Sequence, residues 1–205
     1  MQIGIMGGTF NPPHKGHMNA ACAAKREIPL DKLILIPAGI PPHKKLAADS
    51  AAVEDRLAMT RLVAEEIGAE VSDIEIMREG KSYTVDTLRE IKKAFPEDSL
   101  WLIMGTDMFL SLESWREPQE IFSLAAIAVI ARDEKDKEAL AAHSERLGKL
   151  YGAESRVIET ASVTISSSEL RPDIMSEKHS AFLSDSVYNY IIKKKLYGVR
   201  ECDEI

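Results

Sequence analysis

Two histidines three residues apart, His14 and His17, end a stretch that reads GIMGGTFNPPHKGH. Imidazoles with that spacing, at the head of a helix that follows a proline-rich turn, can point the same way. Gly16 lies between them and lets a ligand reach the helix N-terminus, where unpaired amides and the helix dipole favour anions. Gly7 and Gly8 allow backbone amides to approach a phosphate without interference from a Cβ. The chemistry suggested is the grip of a phosphorylated ligand. Two familiar nucleotide loops do not fit. Gly4, Gly7 and Gly8 lack the G-x-G-x-x-G spacing, Pro12-Pro13 interrupts the helix start, and the P-loop pattern is absent. Zinc is the competing use of two histidines, but neither an H-E-x-x-H pattern nor a nearby cysteine cluster accompanies them. A purely structural pair is the remaining alternative.

Short apolar runs alternate with longer amphipathic ones, and these must position the histidines. Gln2 to Met6 reads as a buried strand, followed after the glycine turn by a helix from about His17 to Arg26. Lys32 to Pro37 is a second strand, and Ala38 to Ser50 a loop rich in Pro and Lys. Ala52 to Ile67 has helical apolar spacing, Val71 to Met77 is a third strand candidate, and Tyr83 to Phe95 is a helix that Pro96 stops. Leu100 to Met104 and Ile127 to Ala131 are strands four and five, with a Trp-containing segment between them. Lys135 to Leu150 is a polar-faced helix, Arg156 to Glu159 a possible sixth strand, and Ser186 to Leu196 a closing helix. Strands of about five residues alternating with helices predict a doubly wound, mostly parallel α/β sheet with helices on both faces. Ligands then bind beyond the carboxyl ends of the strands, where strand order reverses.

Composition agrees with that class. A chain of 205 residues, 45% hydrophobic and 29% charged, is expected to form one globular domain over 1–205. Its C-terminal part, about 162–205, reads as a small helical extension. Two cysteines, Cys22 and Cys202, make a disulfide framework improbable and a reducing, cytoplasmic setting the default. The longest apolar run, Leu124 to Ala131, is too short for a bilayer, and the N-terminus lacks a secretory pattern, so neither membrane insertion nor secretion is expected. The net charge of −7 argues against non-specific nucleic-acid binding. Yet the first 47 residues carry Lys15, Lys25, Arg26, Lys32, Lys44 and Lys45 against only Glu27 and Asp31. A focused basic spot on an acidic protein suits a small polyanion.

The string from Gly7 to His17 resembles the signature of the nucleotidyltransferase superfamily, whose (H/T)xGH motif holds the phosphates of a nucleoside triphosphate. Later segments resemble the bacterial nicotinate-nucleotide adenylyltransferase family along nearly the whole chain. Pro41-Pro42-His43-Lys44 matches its basic loop, and Ser82-Tyr83-Thr84-Val85-Asp86-Thr87-Leu88 its SYTxDTL segment. Gly105-Thr106-Asp107-Met108-Phe109 looks like its GxDxF turn, Ser114-Trp115 like its pyridine-stacking tryptophan, and Ile165-Ser166-Ser167-Ser168 with Arg171 like the ISSTxxR that grips the β and γ phosphates. Each segment also has a plainer use: Ser166 and Glu169 as a capping box, Asp107 as a helix N-cap, Trp115 as a core aromatic.

The resemblance implies transfer of the adenylyl group of ATP to nicotinate mononucleotide, with His14, His17 and Lys44 catalytic. It implies that ATP is held by Gly7, Gly8, Thr9, Phe10, His14, His17, Gly105, Asp107, Ile165, Ser166, Ser167 and Arg171. The mononucleotide falls to Lys44, Tyr83, Thr84, Asp107, Trp115 and Arg132. Mg²⁺ is expected to arrive on ATP without a dedicated protein site, and a homo-oligomer is possible. The alternatives are a phosphopantetheine adenylyltransferase, a non-catalytic ATP sensor of the same fold and, disfavoured by its glycine spacing, a nicotinamide oxidoreductase. The sequence departs from the family where Asp133-Glu134 follow Arg132 and where Arg116 follows the tryptophan, a common aromatic position. Pro172 directly follows Arg171, which disfavours an α conformation at the arginine and predicts a short or kinked helix after Ser166.

Overall fold

The structure, a computed structural model of the chain, describes residues 1–42, 46–131, 136–160, 165–176 and 179–199. In chain order the elements that matter are β1 (Gln2–Gly8), α1 (Lys15–Glu27), β2 (Lys32–Pro37), α2 (Val53–Ile67), β3 (Glu70–Val71), α3 (Ile74–Met77), α4 (Thr84–Ala94) and β4 (Ser99–Gly105). They continue with α5 (Thr106–Leu110), α6 (Pro118–Leu124), β5 (Ala125–Ala131), α7 (Lys137–Tyr151), β6 (Ser155–Glu159), α8 (Ser167–Leu170), α9 (His179–Phe182) and α10 (Asp185–Lys194). The strands form one sheet in the order β3-β2-β1-β4-β5-β6 with every pairing parallel. Strand order reverses at β1, which pairs with β2 on one side and β4 on the other. The crevice for a ligand therefore opens at the ends of β1 and β4.

Alternation along the strands builds a core on each face of the sheet. Leu33 and Leu35 join Ala20, Ala21 and Ala24 of α1 and Met59 and Val63 of α2. Ile3, Ile5, Ile34 and Ile36 join Val85 and Leu88 of α4, Ile121 of α6 and Leu140 of α7. The small residues of α1 let it lie close to the sheet, which fixes its N-terminus over the β1 turn. Gly4 belongs to this packing, since a Cβ there would come within 2.6 Å of Leu30 Cδ1. Among the described residues no helix is long and apolar enough to cross a membrane.

Three local expectations need correction. The third strand is only Glu70–Val71, and Ile74–Met77 is a turn of helix. Its apolar alternation does not report a buried face, for Met77 is exposed while Glu75 is buried. The first helix starts at Lys15, two residues earlier than expected. Arg171 is α-helical (φ −54, ψ −45) despite Pro172. The predicted break nonetheless occurs, because α8 lasts one turn before a 3₁₀ turn over Arg171–Asp173.

Candidate active site

β1 ends at Gly8, and the chain turns through Phe10, which adopts the left-handed region at φ 48. Phe10 is buried and sets its ring edge on His17 at a centroid distance of 5.0 Å. A Cβ on Gly8 would approach the Phe10 ring to 3.0 Å, so glycine admits that ring; a Cβ on Gly7 would meet nothing within 4 Å. His14 follows as the N-cap of α1, in extended conformation.

The two imidazoles cap the helix together. His14 Nδ1 accepts from Gly16 N, and His17 Nδ1 accepts from His14 N, each at 3.1 Å. This is a capping box built from histidines, satisfying amides that the first helical turn leaves open. An Nδ1 that accepts carries no proton, so each neutral ring has its proton on Nε2. The ring centroids lie 3.8 Å apart. Helix formation thus fixes the tautomer and aim of both side chains through their Nδ1 atoms, so the capping role uses one nitrogen of each ring.

Two cavities meet at Thr9, His17 and Met108, which line both. The first, of about 250 Å³, is also lined by Phe10, His14, Ile165, Ser166, Ser167 and Arg171. The second, of about 360 Å³, holds Gly7, Gly8, Tyr83, Thr84, Gly105 and Trp115. The expected ATP set is therefore divided: Gly7, Gly8 and Gly105 face the second cavity. Asp107 is exposed in the first turn of α5, and its side chain makes no capping bond there. Ser166 does form the capping box with Glu169, while Ser167 Oγ donates to Pro12 O at 2.9 Å and ties α8 to the first turn. Trp115 is half-buried and packs against the α4 side of the core as well as lining the cavity. Lys44 and Arg132 lie outside the described residues.

The floor of the second cavity carries a polar group that sequence reading missed. Glu75 is buried, accepts from Thr87 Oγ1 at 2.7 Å, and has its carboxyl pushed above the usual carboxylate range by burial. Arg56 was missed as well. It is 1% exposed, and Nη1 donates to Thr9 O at 2.8 Å and Ala38 O at 2.7 Å while Nη2 donates to Gly39 O at 3.3 Å. One guanidinium thereby binds the turn after β1 to the turn after β2. Burial lowers its pKa from the ordinary arginine value. In the sequence Arg56 reads only as a polar position of an amphipathic helix, and nothing marks it as interior.

Arg171 is buried beside the first cavity and donates to Asp49 Oδ2, Asn11 O and Ser167 O at 2.8, 3.1 and 3.3 Å. These bonds hold it in the α conformation that Pro172 disfavours. Asn11 in turn accepts at Oδ1 from Ala51 N at 3.1 Å and from Tyr197 Oη at 2.9 Å. Tyr197 stands in the left-handed region at φ 59, after α10 has packed against α2.

A doubly wound parallel sheet whose first turn sets two mutually capped imidazoles between two cavities defines a nucleotidyl-transfer fold, and the chain belongs to the cytidylyltransferase-like family, whose model matches residues 5–173. Within it the chain belongs to the nicotinate-nucleotide adenylyltransferases. It is 36% identical over 213 residues to the "Probable nicotinate-nucleotide adenylyltransferase" of Citrifermentans bemidjiense, covering 96% of this chain and 98% of that one. It is 38% identical to the protein of that name from Desulfitobacterium hafniense, covering 97% and 96%. The fold is also that of the Plasmodium falciparum nicotinic acid mononucleotide adenylyltransferase solved with NaAD (TM-score 0.78, 20% identity, 97% of this chain and 98% of that one).

Proposed function

We propose that this chain transfers the adenylyl group of ATP to nicotinate mononucleotide, releasing pyrophosphate and forming nicotinate adenine dinucleotide for NAD synthesis. The observation that carries the reading is His17, an imidazole with its Nε2 proton fixed by the helix cap, at the junction of two cavities of about 250 and 360 Å³.

A phosphate oxygen of the mononucleotide forms a bond to the α-phosphorus of ATP. The bond from that phosphorus to the β-phosphate's bridging oxygen breaks, and pyrophosphate leaves with the electron pair. Because the attacking phosphate is already ionised near neutrality, no general base is needed. Catalysis is then positioning and stabilisation of charge on the crowded α-phosphate. His14 and His17 serve as Nε2–H donors to phosphate oxygens, and Ile165 to Ser167 with Arg171 line the triphosphate's side. Lys44 acts on the departing pyrophosphate, and Arg132 on the mononucleotide phosphate. In the second cavity Trp115 stacks on the pyridine ring, and Tyr83 and Thr84 present the N-terminal amides of α4 to it. Asp107, exposed in the first turn of α5, contributes to holding both nucleotides.

The donors lining the triphosphate side are imidazoles, hydroxyls and a guanidinium, which suit phosphate oxygen rather than a hard cation. Among the described residues no group of three or more His, Cys, Asp or Glu could hold a metal ion. Mg²⁺ carried on ATP by phosphate oxygens and water would neutralise charge. The test is pyrophosphate release from ATP with nicotinate mononucleotide. Turnover that needs both nucleotides supports the reading, and ATP binding without release overturns it in favour of a sensor.

A further inference from the structure

The chain after Trp115 reverses sharply. Glu117 takes the left-handed conformation (φ 53, ψ 56) before Pro118 opens α6. A non-glycine residue there stores strain of about 1–3 kcal/mol, and such strain persists where surrounding structure requires it. The reversal lays Arg116 over the ring of Tyr83, with Cζ 4.7 Å from the ring centroid. Both residues line the second cavity beside Thr84, Thr87 and Trp115.

The guanidinium is held at its rear edge. Nε donates to Glu117 Oε1 at 3.2 Å, and Nη1 stands 3.9 Å from Asp86 Oδ2, within ion-pair but not hydrogen-bond reach. Arg89 of α4 also binds Asp86, Glu117 and Glu120, so the first two carboxylates share their charge between two guanidinium groups. Arg116 therefore lays its Nη groups as a planar fork on the face of an aromatic ring, with Nη1 no closer to Asp86 than ion-pair range. That arrangement matches a carboxylate, which accepts from both arms, and does not match a carboxamide, which would turn one NH₂ toward a cation.

We infer that Arg116 recognises the carboxylate of the pyridine substrate and is the specificity-determining residue for the acid over the amide. The inference rests on the proposed adenylyl transfer to a pyridine mononucleotide and goes beyond it, because it adds a charged side-chain donor to the neutral amide donors at Tyr83 and Thr84, which also favour a carboxylate over an amide NH₂. The stack on Tyr83 fixes the plane of the fork, and Asp86 and Glu117 fix its height.

The experiment measures kcat/KM with nicotinate and with nicotinamide mononucleotide, at saturating ATP, for wild type, Arg116→Gln and Arg116→Lys. In Arg116→Gln the acid-to-amide ratio is expected to fall by about tenfold or more, as for losing one charged hydrogen-bond partner. Arg116→Lys keeps charge without the fork or the stack and should fall between. The KM for the acid should also depend less steeply on ionic strength in Arg116→Gln. The KM for ATP is the reference, since general damage to the cavity raises both. A ratio unchanged in both variants overturns the inference and leaves specificity to the α4 amides. Wild type that transfers to neither mononucleotide sinks the underlying function instead.

Discussion

Asp49 and Arg171 form an ion pair with Nε 2.8 Å from Oδ2, joining the loop before α2 to the turn after α8 at the edge of the triphosphate-side cavity. The arginine is buried and the aspartate is largely exposed. If the triphosphate binds beside Arg171 as proposed, this carboxylate and an incoming phosphate would compete for the same guanidinium. Asp49→Asn should tighten ATP binding by about twofold to fivefold, the range expected for removing an exposed ion pair. Isothermal titration with a non-hydrolysable ATP analogue reads this directly. The Arg171 hydrogen bond holds the Asp49 carboxyl below its ordinary range. A lowered folded-state pKa contributes stability that is present above the unfolded pKa and lost as pH falls through the folded one. The Tm difference between wild type and Asp49→Asn should accordingly be constant near neutrality and shrink below about pH 4.

His14 can be separated into its two duties. Asparagine is among the best N-cap residues, so His14→Asn should keep α1 capped and the Tm nearly unchanged while removing the Nε2 donor. Turnover should fall by about 10²-fold to 10³-fold, as for loss of one oxyanion donor. His17→Ala should show a similar kinetic loss together with about 1 kcal/mol of lost stability, because His14 N loses its acceptor. Turnover unchanged in His14→Asn would reduce the pair to a cap.

Two glycines should respond oppositely to alanine. At Gly39 a Cβ would come within 2.4 Å of the Glu75 carbonyl oxygen, a backbone atom that cannot swing aside. Gly39→Ala should cost about 1–3 kcal/mol by overpacking. At Gly7 the added methyl group has room, so Gly7→Ala should fold within about 0.5 kcal/mol of wild type yet raise KM for a nucleotide. Thermal melts and steady-state kinetics on the two variants decide the matter.

Replacing Arg56 with methionine keeps an unbranched apolar stem but removes the guanidinium and strips three carbonyls of their donor. Leaving them unpaired in the interior should cost about 3 kcal/mol or more, lowering Tm by about 6–12 °C for a chain of this size. Arg56→Lys should recover part of that. A melt unchanged in Arg56→Met would mean that water replaces the guanidinium.

The sequence exposed the first turn well because strand, glycines, prolines and helix start each leave a local mark, and their order alone places His14 and His17 at a sheet mouth. It exposed the six-stranded alternation for the same reason. What it hid depends on three-dimensional neighbours. Ile74 and Ile76 flank Glu75 in a pattern that suits a strand, yet the pairing edge ends at Val71 and Glu75 turns inward to Thr87. Arg56 looks solvated until two loops converge on it. Pro172 argues against a helical Arg171, and only the bonds to Asp49, Asn11 and Ser167 outweigh that bias. Arg116 departs from the family's common aromatic, and its use is visible only once Tyr83 lies beneath it.

The hydrogen bond from Tyr197 to Asn11 spans 186 positions of sequence. Almost the whole polypeptide is thus enclosed between the two ends of one short link, with the histidine turn starting three residues past its near end. Truncating the chain ahead of Tyr197, or replacing Tyr197 with Phe, would disturb the turn that carries the two histidines before it disturbed the sheet.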